Sequence, residues 1–72
     1  MIDFHESVNE ARILRIKKVK ERTGLSRSTI YSLIKERNFP PPIPIGARAV
    51  GWLSSDVDAW IEARVKASRA YA

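Results

Sequence analysis

The sequence predicts a mainly α-helical domain carrying one small β-hairpin, and three observations predict it. Apolar residues at Ile16, Val19, Leu25, Ile30, Leu33 and Ile34 recur at helical spacing on either side of Gly24. The stretch Phe39-Pro-Pro-Pro-Ile-Pro-Ile45 cannot be helical, and a Gly46–Ala49 turn separates it from the apolar run Val50-Gly-Trp-Leu53. Ser55-Asp-Val-Asp58 then opens a last apolar stripe with the chemistry of a helix start. Two helices meeting at a tight turn and followed by a hairpin make a winged helix-turn-helix.

Taken in order, residues 1–11 show neither apolar period nor turn chemistry and are expected to form a flexible lead-in. The domain is expected to span 12–66, with a short tail over 67–72. Ile13 and Leu14 form a short extended segment before a first helix over about Ile16–Thr23, which buries Ile16 and Val19. Gly24 is the expected left-handed residue that ends this helix. Ser26 is placed to accept from the free N–H groups that open a second helix, about Arg27–Arg37, with Ile30, Leu33, Ile34 and Arg37 on its inward face. Asn38 is the expected left-handed terminator before the prolines. Pro44 removes a ladder donor, so its strand lies at an edge, and Arg48 falls at or near the hairpin tip. In the last helix Asp56 and Asp58 oppose the helix dipole as caps, Val57, Trp60, Ile61, Arg64 and Val65 face inward, and Ala59 and Ala63 fill space. Trp52 and Trp60 are expected to anchor the core.

Composition narrows the function. Seventy-two residues give one small domain with a thin core. There is no Cys and one His, His5, so no catalytic set and no metal site can be assembled, and no cofactor is implied. No apolar run approaches the ~20 residues of a membrane span and no leader pattern opens the chain, so a cytoplasmic protein is expected. The net charge is +5, but residues 1–11 carry −3, residues 12–37 carry nine basic against two acidic for +7, and residues 38–72 carry +1. Positive charge therefore coincides with the helix-turn-helix, as a phosphate-facing surface requires, whereas a merely solvated basic face has no reason to coincide with it.

Four segments, in order, carry a family resemblance: Thr23-Gly-Leu-Ser-Arg-Ser-Thr-Ile-Tyr31, Phe39-Pro-Pro-Pro42, Arg48-Ala-Val-Gly-Trp52 and Asp56-Val-Asp-Ala-Trp-Ile61. Together they resemble the AlpA family of small phage and prophage regulators, over about three quarters of the chain from Ile13 to Val65. The resemblance implies an excisionase/MerR-like winged helix-turn-helix of bacterial or phage origin, nucleoid-associated when bound, with a role in prophage transcription or excision. It also implies that the second helix enters the major groove, which points to Arg27, Ser28, Thr29, Tyr31 and Lys35, with Arg48 in the wing. Lys20 departs from the apolar residue commonly found at its position.

The chemistry of these side chains fits double-stranded DNA. Lys17, Lys18, Lys20 and Arg22 are candidate phosphate contacts, as are the Ser28 and Thr29 hydroxyls and the amino-terminal end of the second helix. Arg27 and Lys35 can donate to guanine O6 and N7. Tyr31 can donate to a phosphate or pack on a thymine methyl, and Arg48 can reach the adjacent minor groove or backbone. One such module buries only about 600–1,000 Å² of surface, so further copies on adjacent sites or a partner protein alongside are expected; the family resemblance implies an integrase or RNA polymerase as that partner. A transcriptional regulator is the leading reading. An excisionase-like architectural factor would differ in site number and DNA bending, and a protein-interaction adaptor would bind its partner without Arg27 and Lys35.

Overall fold

The structure, a computed structural model, describes residues 12–70. The lead-in expected over 1–11, His5 included, and residues 71–72 lie outside the described residues. The elements follow in the order β1 (Ile13–Leu14), α1 (Ile16–Thr23), α2 (Arg27–Lys35), β2 (Ile43–Gly46), β3 (Ala49–Leu53) and α3 (Ser54–Ala70). Three helices and a small antiparallel sheet make the expected winged helix-turn-helix.

Local chemistry shapes the α1–α2 turn. Gly24 takes φ 74° and donates its N–H to Lys20 O at 2.8 Å, closing α1 with a left-handed cap. Thr23 Oγ1 donates back to Val19 O at 2.8 Å and accepts from Leu25 N at 3.2 Å, which fixes the first step of the turn. Ser26 Oγ accepts from Thr29 N at 3.2 Å as the expected α2 cap.

The end of α2 differs from the expected one. The helix stops at Lys35, and Arg37, not Asn38, is the left-handed residue, at φ 64°. Arg37 N donates to Ile34 O at 2.9 Å and Asn38 N to Leu33 O at 2.7 Å, the paired bonds of a Schellman motif. Reversal one residue early carries Phe39 into the core, where its ring meets Trp60 edge-on at 4.9 Å. Arg37 is consequently exposed and not on the inward face.

The sheet has three strands in the order β1-β3-β2, so the expected hairpin gains β1 as a second edge. Ile13 pairs with Leu53 and Leu14 with Trp52 on one side of β3, and Ile43 with Gly51 and Pro44 with Val50 on the other. The register slips between Pro44 and Gly46, leaving Ile45 as a bulge beside the wing tip. Gly51 is required by close approach, because a Cβ there would clash with the Ile13 Cγ2 methyl and stand 3.0 Å from Leu14 O.

Leu14, Val19, Ile30, Phe39, Trp52 and Val57 form the buried core, one each from β1, α1, α2, β3 and α3, with Phe39 from the loop after α2. The proline stretch has carbonyls but few N–H groups, and the two indoles serve it: Trp52 Nε1 donates to Pro40 O at 3.0 Å and Trp60 Nε1 to Asn38 O at 2.6 Å. Trp60 is only half-buried. The helix α3 starts at Ser54, one residue before the expected cap, because Ser54 has a different task. Its Oγ accepts from Arg12 N at 2.9 Å and its N–H donates to Arg12 O at 2.7 Å, tying the start of α3 to the strand that precedes α1. Asp58 is not a cap but pairs with Arg22, joining α3 to α1. The inward stripe ends at Ile61. Ala59, Ala63, Arg64 and Val65 are exposed, and Arg64 lies over the outer face of Trp60 at 4.8 Å.

Candidate nucleic-acid interface

The amino-terminal half of α2 presents the densest group of exposed polar side chains that the fold holds in place. Arg27, Ser28 and Thr29 occupy its first turn, and all are exposed because Ile30 alone of that turn faces the core. Ser26 organises them: its Oγ donates to Thr29 Oγ1 at 2.9 Å and lies 3.4 Å from Ser28 Oγ. The two hydroxyls are thus presented beside the open N–H groups of the helix end.

Arg27, Tyr31 and Lys35 recur every four residues, so they line one ridge about 12 Å long at 1.5 Å per residue. Lys35 is exposed at its carboxy-terminal end. At the amino-terminal end the Arg27 guanidinium carbon lies 5.5 Å from the centre of the Tyr31 ring, a cation–π contact between successive turns. Tyr31 is half-buried, and its ring meets Trp52 at 6.0 Å and 73°, edge to face. An open hollow lined by Ser26, Arg27, Ser28 and Tyr31 faces solvent here.

A second open hollow, lined by Lys17, Lys20, Glu21, Gly24, Leu25 and Ser26, carries the surface across the turn onto α1. Lys17 and Lys20 therefore flank the α2 start. The other cations of α1 are engaged: Lys18 Nζ lies 3.4 Å from Glu21 Oε1, and Arg22 is held by Asp58. Arg48 is exposed in the two-residue turn between β2 and β3, at the wing tip.

The structure thus brings Arg27, Ser28 and Tyr31 to one hollow, sets Thr29 on the shared serine cap, and leads Lys35 along the same ridge. Lys17 joins through the neighbouring hollow, whereas Lys18 and Arg48 line neither. Trp52 was legible as core but not as the platform for Tyr31. The i, i+4 spacing of Arg27 and Tyr31 was the available signal for their contact.

Comparison with known proteins identifies the family of the chain. Residues 12–65 match the family model described as "Prophage CP4-57 regulatory protein (AlpA)". The ORF88 protein of Enterobacteria phage P4 is 45% identical over 58 residues, which cover 81% of this chain and 66% of that protein. The chain thus spans just under two thirds of the phage relative's length. The DNA-binding transcriptional activator AlpA of Escherichia coli strain K12 is 34% identical over 61 residues, covering 76% of this chain and 87% of the relative.

Proposed function

Because the chain belongs to the AlpA family of prophage regulatory proteins, we propose that it is a sequence-specific DNA-binding transcriptional regulator. The observation that carries this reading is the ridge of Arg27, Tyr31 and Lys35 on a capped helix, with Lys17 and Lys20 flanking its start. A duplex is held first through phosphates and read through base edges. In this reading α2 lies in the major groove. Arg27 and Lys35 donate to guanine, and the Ser28 and Thr29 hydroxyls with the helix end take phosphate oxygens. Lys17 and Lys18 add phosphate contacts, with Lys18 sharing its charge with Glu21. The wing places Arg48 over the neighbouring minor groove or backbone. The Escherichia coli relative, a DNA-binding transcriptional activator, supports the same class.

A single small module on DNA leaves room for further copies on adjacent sites or for RNA polymerase beside it. The test is an electrophoretic shift with duplexes from the promoter and attachment regions of the prophage that carries the gene, against scrambled duplexes. Retardation of a promoter duplex at a concentration at least tenfold below that needed for its scrambled counterpart is the expected outcome. Equal retardation of both removes the reading. Circularly permuted duplexes distinguish the excisionase alternative, which requires a bend at an attachment site.

A further inference from the structure

Resting on the placement of α2 in the major groove, we propose that Arg27 and Tyr31 together select a 5-methylpyrimidine immediately 5′ of a guanine on the same strand. The starting point is how firmly one exposed arginine is held. Trp52 is fully buried and its indole N–H is bound to Pro40 O, so the ring cannot turn. Tyr31 stands edge-on against it at 6.0 Å, and the Arg27 guanidinium lies over Tyr31 at 5.5 Å. Core, ring and cation form one column from the protein interior to the solvent. A free arginine spreads over many rotamers, whereas this one arrives at DNA already aimed.

The cation–π contact holds the guanidinium from the Tyr31 side at 5.5 Å and leaves its N–H donors and its far side open to a duplex. The in-plane fork matches O6 and N7 of a guanine. In B-form DNA the C5 substituent of the base 5′ to that guanine projects into the major groove beside the same edge. A methyl group there meets the open face of the cation and the hollow lined by Ser26, Arg27, Ser28 and Tyr31, where the two serines are short enough to leave room beside the ring. A C5–H leaves that space unfilled. Guanine is thus read by hydrogen bonds and its 5′ neighbour by the methyl, which thymine and 5-methylcytosine share and cytosine and uracil lack.

The experiment uses the full chain and the tightest duplex that it selects from a random-sequence library, with affinities measured by fluorescence anisotropy. The selected duplex is expected to contain a TG step. Replacing that thymine by deoxyuracil removes one methyl group and touches nothing in the protein. Affinity is expected to fall about fourfold, the factor equivalent to ~0.8 kcal/mol for one buried methyl. With cytosine at the same position, 5-methylation is expected to raise affinity by a similar factor. Arg27→Lys keeps the charge but not the planar face, and is expected to bring the thymine-to-uracil ratio to about one while still binding duplex; Tyr31→Phe is expected to preserve the ratio. A selected site without a TG step, or equal affinity for thymine and uracil duplexes, overturns the inference. Failure to select any duplex is a separate outcome, which removes the DNA-reading function itself.

Discussion

At the scale of single residues, equal formal charges do different work. Arg22 is committed to Asp58 and holds α1 to α3, while Lys17 has no carboxylate partner among the described residues and is available to phosphate. Sequence could not separate them, because Asp58 lies 36 residues from Arg22 and nothing local marks the pairing. Gly51 is another position defined by a distant neighbour. Gly51→Ala forces a methyl group into Ile13 and the Leu14 carbonyl, backbone that is itself paired to β3 and has little freedom to move. We expect a loss of about 1–3 kcal/mol, the usual cost of overpacking, read as a lower urea midpoint with an unchanged slope. Trp60→Phe tests a hydrogen bond in the same way. The ring against Phe39 is kept and the donor to Asn38 O is lost, so we expect a cost of about 1 kcal/mol by the same measurement.

At the scale of elements, helix starts and stops were legible where their chemistry is local. Gly24 and Ser26 act as their residue types require, because the bonds they make lie within four residues of themselves. Ser26→Ala is expected to cost about 1 kcal/mol, since an exposed helix end loses its acceptor. The left-handed terminator of α2 lies one residue before the Asn38 that local chemistry favours, for the opposite reason. Asparagine is the better local terminator, but burial of Phe39 against Trp60 sets the reversal at Arg37. An arginine in the left-handed region is strained by roughly 1–2 kcal/mol. Arg37→Gly is therefore expected to raise the urea midpoint, with a net gain of about 1 kcal/mol after the added freedom of the unfolded chain. A lower midpoint would mean that the Arg37 side chain makes a stabilising contact outweighing its strain. The extended Ile13–Leu14 segment was foreseen, whereas its pairing with β3 joins residues about 40 apart and left no mark on the local pattern.

At the scale of the whole molecule, the fold class and the charge asymmetry were legible because both are sums over many residues, which single misplacements do not disturb. The aromatic column was not, since it depends on Trp52 reaching under α2 from a strand 21 residues further along. The same tryptophan makes the core and the proposed reading surface depend on each other. With six buried apolar residues among the described ones and a stability of about 0.05–0.15 kcal/mol per residue, the domain has little reserve. Trp52→Ala, at about 3–5 kcal/mol, is expected to leave it largely unfolded, seen as lost near-ultraviolet circular dichroism. In the proposed function α2 reads bases while α1 holds phosphates. The most direct measurement is duplex binding by wild type, Arg27→Ala and Lys17→Ala across a salt series, on a selected site and a scrambled one. Arg27→Ala is expected to lose about 1–3 kcal/mol of preference for the selected site, and Lys17→Ala to weaken both duplexes alike and lower the salt slope by about one. If Arg27→Ala weakens both duplexes equally and leaves the preference intact, α2 is not the reading helix and the claim is wrong.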